Sequence, residues 1–147
     1  AVASQITGDR SSLQQYSTDY YIEHIRLYLE HKYGTEKLFE GGLKIYTPMD
    51  VDLSVYADSV LNRYLSNVEK GYPASMRYDS VPKNSVDINT RYLQGGILLM
   101  ENSTGQVLAM LGGRNFTHSK FNRITQAKRQ PGSAIKPTYY TAGIEKG

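Results

Sequence analysis

The chain has 147 residues, enough to bury the core of one ordinary domain. Its 39% hydrophobic and 21% charged residues exclude wholesale disorder and fibrous repeats, and the lack of cysteine excludes a disulfide framework, thiolate metal sites and a Cys nucleophile. The net charge of +3 is uneven, since residues 1–101 hold ten Lys/Arg against thirteen Asp/Glu and residues 102–147 hold seven against one.

The opening Ala-Val-Ala-Ser-Gln has no initiator Met, basic leader or apolar signal core, and reads as mid-chain sequence of a longer parent. No apolar run approaches the roughly 18 residues of a membrane span, so any signal or anchor is expected outside this sequence. Residues 1–18, rich in Ser, Gln and Thr, read as a connector. From Asp19, the expected N-cap, the spacing of Ile22, Ile25 and Leu29 predicts a helix that stops at Gly34. Leu43-Lys44-Ile45-Tyr46 alternates as a short half-exposed strand, and Thr47-Pro48 turns the chain. Asp50 is the expected cap of a second helix, with Leu53, Ala57, Val60, Leu61, Tyr64 and Val68 as its stripe, ending near Gly71-Tyr72-Pro73. Residues 72–92 show no period.

Two short apolar runs follow, residues 95–101 and 106–112, separated by the turn chemistry of Asn102-Ser103-Thr104-Gly105. They predict an antiparallel hairpin. Their cores, Ile97 to Met100 and Val107 to Leu111, are continuous, the pattern of strands covered on both faces in a larger sheet. Residues 112–132 form a long loop rich in basic and amide side chains. Between Glu101 and Glu145 there is no acid, while Arg114, Lys120, Arg123, Lys128, Arg129 and Lys136 all fall there, so the segment calls for anionic neighbours. After Gln130-Pro131-Gly132, Ser133 is the expected cap of a helix running through Tyr139, Tyr140, Ala142 and Ile144 to Gly147. Pro137 is tolerable there because it lies in the first turn.

Ser133-Ala134-Ile135-Lys136 sets a hydroxyl and an amine three residues apart on one helix face, the spacing a base needs to take a proton from a nucleophile. The helix N-terminus adds free N–H groups that favour developing negative charge. The spacing alone is weak: with thirteen serines one chance S-x-x-K is expected, and Ser80-Val81-Pro82-Lys83 is such a match in an aperiodic stretch broken by Pro82. On pattern alone Ser133 also reads as a mere cap and Lys136 as a solvated residue. Phe116, Phe121, Tyr139 and Tyr140 interleave with the basic residues, yet no nucleic-acid signature accompanies them, and nucleic acid is not an expected partner. His24 and His31 lie seven apart on the first helix. Two ligands without a third make no metal site, and neither a metal nor another cofactor is expected.

The run Gln94-Gly95-Gly96-Ile97-Leu98, with Asn102 through Arg114, resembles the first hairpin of class A (bifunctional) penicillin-binding transpeptidase domains. Phe121-Asn122-Arg123 and Gln126 through Ser133 extend the resemblance to the nucleophile, and S-x-x-K is a motif of that group. Gly41 through Thr47 with Met49-Asp50 resembles the linker between its glycosyltransferase and transpeptidase domains. The resemblance covers about residues 19–147.

It implies an α+β fold in which residues 1–18 are a connector, 19–92 a small α/β linker domain and 93–147 the N-terminal part of a penicillin-binding/serine β-lactamase-like transpeptidase domain. It further implies Ser133 as nucleophile and Lys136 as its base, in a peptidoglycan D,D-transpeptidase that β-lactams acylate. The implied partners are a D-Ala-D-Ala stem peptide, the remainder of the transpeptidase domain and an upstream glycosyltransferase domain. The implied location is the periplasmic face of the bacterial inner membrane. Neither S-x-N nor K-T-G occurs in these 147 residues. A lysine left in solvent titrates near about 10.4 and cannot accept a proton at neutral pH, and in the family the surroundings of those motifs change that. The 147 residues alone are therefore expected to be inactive. The alternatives are a D,D-carboxypeptidase or serine β-lactamase-type hydrolase, against which the linker argues, and a non-catalytic linker or scaffold module.

Overall fold

The structure, a computed structural model, describes residues 12–82, 85, 86 and 89–147, with side chains from Ser17 onward. Four α-helices and one two-stranded sheet occur among them: α1 (Ser12–Tyr33), α2 (Thr35–Glu40), α3 (Val51–Glu69), β1 (Ile97–Met100), β2 (Val107–Leu111) and α4 (Lys136–Lys146).

Helix α1 begins well before Asp19, so Asp19 is an interior residue and not the expected cap. Residues 1–11 of the expected connector lie outside the described residues. The early turns bury Ser17, Thr18, Tyr20 and Tyr21, whereas Ile22, expected in the core, is 38% exposed. Small hydroxyl residues and tyrosines face the interior here, and an apolar-periodicity reading passes over them. Gly34 ends α1 as expected, its N–H donating to the Glu30 carbonyl at 2.8 Å. The six-residue α2 that follows is too short for a period to register and buries none of its residues.

The strand expected at residues 43–46 does not form. The segment has no regular secondary structure and is exposed at Leu43, Ile45 and Tyr46; four residues on, the Asp50 N–H donates to the Leu108 carbonyl of the sheet at 2.8 Å. The described residues of 19–92 are accordingly helical with an irregular connection, without the strand that the expected α/β linker domain calls for. Asp50 caps α3 as expected, Oδ1 accepting from the Leu53 N–H at 2.9 Å. The buried face of α3 is Ser54, Ala57, Leu61, Leu65 and Glu69. Ala57 and Leu61 match expectation, while Tyr64 and Val68 belong to an exposed face.

Strands β1 and β2 form the expected antiparallel hairpin, pairing Ile97 with Leu111 and Leu99 with Ala109, with a register shift between Leu99 and Met100. Strand β2 is covered on both faces. Leu111 packs with Ala57, Leu61 and Leu65 of α3, joined by Leu93, Ile97 and Leu99. Met110 packs with Tyr21 of α1 and with Met49, joined by Ile25, Val51, Val107 and Ile124. Burying one such side chain fully contributes about 1.5–3 kcal/mol, so these two clusters hold the helices to the hairpin. Strand β1 is covered on one face only: Leu98 and Met100 stay exposed. The coverage that its continuous apolar run anticipates is thus half present among the described residues.

Candidate active site

The loop leaving β2 is tied down at its start. Gly112 and Gly113 are buried, and a Cβ on Gly113 would run into the Tyr20 hydroxyl and stand 2.9 Å from Arg123 Nη1. Only glycine permits that approach. The Tyr20 hydroxyl donates to the Ser119 carbonyl at 2.6 Å, and its ring meets Phe116 edge-on at 5.0 Å. Burial pushes the Tyr20 hydroxyl well above the ordinary tyrosine range, so it stays a donor.

The loop then closes on itself. The Arg123 N–H donates to the Gly112 carbonyl at 3.0 Å, and Asn122 Oδ1 accepts from the Ile124 N–H at 3.0 Å. Gln126 Oε1 accepts from the Asn122 N–H at 2.8 Å, and Asn122 Nδ2 donates to Met110 Sδ at 3.3 Å. Earlier in the loop, Asn115 Oδ1 accepts from the Thr117 and His118 N–H groups, and Tyr92 and the buried His118 share a hydrogen bond at 3.0 Å. Burial raises the Tyr92 hydroxyl pKa, which leaves that hydroxyl protonated.

Arg114 answers the expectation that the basic segment needs an anionic neighbour. Its guanidinium pairs with Glu69 at the end of α3, Nη1 to Oε2 at 2.8 Å, with side chains 0% and 3% exposed. Nε donates to Asn62 Oδ1 at 3.0 Å and Nη2 to Ser66 Oγ at 2.8 Å, both also on α3. The guanidinium lies 4.4 Å from the Tyr78 ring centre. Glu69 is satisfied further by the Leu93 N–H at 2.8 Å and the Tyr78 N–H at 3.3 Å. A buried charge pair survives only with such complete hydrogen bonding. Sequence reading missed this site because Glu69 is 45 residues from Arg114; the signal available was an acid at the end of a buried helical stripe.

Ser133 falls in a 3-10 turn, Gly132–Ile135, and α4 starts at Lys136. Ser133 is therefore inside the turn and is not the expected cap; no side-chain cap bond opens either helix. Gly132 takes φ 54°, a left-handed conformation suited to glycine that swings the chain into the turn. In a 3-10 turn side chains three apart eclipse, which sets Ser133 and Lys136 on one side. Pro137 lies in the first turn of α4 and Gly147 closes it, both as expected. Ser133, Lys136 and the whole of α4 are exposed, with Tyr139 and Tyr140 at 65% and Ile144 at 82%, so α4 does not pack on the hairpin. Its few apolar residues find no apolar surface among the described residues. The second S-x-x-K is built differently: the Ser80 hydroxyl donates to its own turn at the Arg77 carbonyl, 2.7 Å, and Lys83 lies outside the described residues.

The segment carrying the hairpin, the closed loop and this turn matches the family model of the penicillin binding protein transpeptidase domain over residues 95–147. Over these residues the chain is similar to penicillin-binding transpeptidase domains. Penicillin-binding protein 1A of Aquifex aeolicus is 26% identical in an alignment that takes in the whole chain and 28% of the relative. Penicillin-binding protein 1A of Rickettsia typhi is 53% identical over 37% of the chain and 7% of the relative. Penicillin-binding protein 2D of Bacillus subtilis is 30% identical over 87% of the chain and 16% of the relative. The chain thus spans less than a third of the curated relatives it matches, and no solved structure matches it. The resemblance to class A penicillin-binding proteins holds. Among the described residues, no helix is long and apolar enough to cross a membrane.

Proposed function

We propose that this chain is the linker and the start of the transpeptidase domain of a peptidoglycan D,D-transpeptidase, with Ser133 as nucleophile and Lys136 as its base. The observation that carries the reading is that the penicillin-binding match runs through the anchored loop into Ser133 and Lys136, on one side of a tight turn that leads into a helix. Ser133 Oγ attacks the carbonyl of the penultimate D-Ala as its proton passes to the Lys136 amine. The C–N bond then breaks, and terminal D-Ala leaves with that proton on its nitrogen. An amine of a neighbouring stem peptide displaces Ser133 from the ester in the second half. A β-lactam carbonyl enters the same first step and leaves an acyl-serine.

Residues 19–92 would then link to an upstream glycosyltransferase domain, on the periplasmic face of a membrane whose anchor belongs to another part of the parent. Both site residues are exposed, and S-x-N and K-T-G are absent from these 147 residues. The reading therefore includes no turnover and no penicillin trapping by the 147 residues alone, and recovery when they are joined with the C-terminal remainder. Removing one oxyanion donor costs on the order of 2.7–4 kcal/mol, and in this reading one of the two donors comes from that remainder.

The test is labelling of the complete protein with a fluorescent penicillin. Ser133→Ala should abolish labelling and Ser80→Ala should leave it unchanged. Full labelling of Ser133→Ala would refute the assignment.

A further inference from the structure

The loop that ends in Ser133 is fixed to the protein at two places. Its base is closed by the Arg123 N–H on the Gly112 carbonyl, and its second residue past that base, Arg114, is locked to α3. The three α3 residues that hold the guanidinium, Asn62, Ser66 and Glu69, lie along one helix face at spacings of four and three. Glu69 also accepts the Leu93 N–H, just before β1, so one carboxylate binds both the entry to β1 and the exit from β2. The Leu93 carbonyl and the Gln94 side chain complete the contact, the latter accepting the Arg114 N–H at 3.2 Å. From Ala127 to Ser133 the chain has seven residues, six of them exposed, so the closed loop behind it is the nearest buried anchor of this stretch.

We infer that the Glu69–Arg114 clamp is a positioning device for acylation: through it helix α3 sets where the loop delivers Ser133. This rests on the reading of Ser133 as the nucleophile. Glu69 and Arg114 touch no substrate in this account. A buried fork with four separate anchors has one geometry, and reaction rates are steep in nucleophile placement: an error of about 1 Å costs on the order of a hundredfold. A helix in the linker is thereby able to change the acylation rate without contacting the reacting atoms.

The test uses the complete protein and measures the acylation rate constant and the initial affinity for a fluorescent penicillin separately, well below the melting temperature. Three variants loosen the clamp in steps: Ser66→Ala, Asn62→Ala and Glu69→Gln. The first two leave the charge pair intact, and so keep the proposal testable if Glu69→Gln fails to fold. Ile25→Ala, which thins the other core cluster beneath α1, is the stability control. The acylation rate constant should fall in the order of the series, by about tenfold or more at its far end, with the initial affinity held within about twofold. Ile25→Ala should keep the wild-type rate even where its melting temperature matches that of a clamp variant. Equal rates across folded clamp variants, or a loss in Ile25→Ala that simply follows stability, would overturn the inference while wild-type labelling at Ser133 leaves the nucleophile assignment standing. Wild-type protein that takes no label at Ser133 overturns both.

Discussion

Replacing Glu69 with Gln keeps the shape of the side chain and an acceptor for the Leu93 N–H, but leaves the Arg114 guanidinium buried without its counter-charge. Both side chains are essentially inaccessible, at 0% and 3%, so solvent cannot take over the lost interaction. Breaking a buried pair from one side costs about 3–5 kcal/mol. A domain of this size has about 5–15 kcal/mol in total, so the variant sits near the edge of folding. Near 3 °C per kcal/mol for a chain of this length, the melting temperature should fall by about 10 °C. Glu69→Gln combined with Arg114→Met removes both charges and should recover part of that loss, because no unpaired charge remains. Thermal and urea unfolding followed by far-UV circular dichroism, run as a double-mutant cycle, measures both. A Glu69→Gln melting point within about 2 °C of wild type, or a double variant at the sum of the two singles, would refute the reasoning.

Gly113→Ala should cost about 1–3 kcal/mol by forcing the Tyr20 hydroxyl off the Ser119 carbonyl, whereas Gly143→Ala, in open space on α4, should not destabilise; unfolding midpoints compare them. Asp58 has its carboxyl pKa raised, chiefly by burial, with the Asn62 side chain and Arg114 opposing. The folded state therefore holds its proton to higher pH than the unfolded chain, and stability falls as pH rises from the ordinary Asp range through the folded-state value. Asp58→Asn should raise the melting temperature at pH 7 and gain little below the ordinary Asp range; a gain independent of pH would count against burial as the cause. Glu23 is shifted the other way, held down first by its hydrogen bond from Arg26 at 2.7 Å. Its contribution is present above the ordinary Glu range and is lost as pH falls through the lowered value, so the difference between wild type and Glu23→Gln should shrink in acid.

Local chemistry was legible where one short stretch carries the whole instruction. Asp50 caps α3 because Asp can accept its own helix's N–H groups, and the hairpin follows from two apolar runs around Asn102-Ser103-Thr104-Gly105. The start of α1 was not legible, because its inward face is Ser17, Thr18 and two tyrosines, whose phenol hydroxyls donate to the distant Ser119 and Val107 carbonyls. Leu43 to Tyr46 alternates like a strand but pairs with no strand among the described residues, and alternation does not supply one. Ser133 and Lys136 are singled out as a pair by motif and resemblance, and their roles rest on the proposal above. The turn that holds them, with the cap bond missing, was not legible, since an S-x-x-K spacing fits a 3-10 turn as well as an α-helix. For the Glu69–Arg114 clamp the need for an anion near the basic segment was legible but the partner was not, because packing of α3 on the hairpin brings the two together and neither residue marks the other.

The account stands most directly on where a penicillin attaches. The complete protein, treated with benzylpenicillin and digested with trypsin, is cut after Arg129, while Pro137 protects the bond after Lys136, so Ser133 is carried on the peptide from Gln130 to Lys146. Tandem mass spectrometry should find the penicilloyl mass on that peptide, with fragment ions fixing it to Ser133. A stoichiometric adduct on any other peptide, or an unmodified Gln130–Lys146 peptide from protein that binds penicillin, would contradict the central claim.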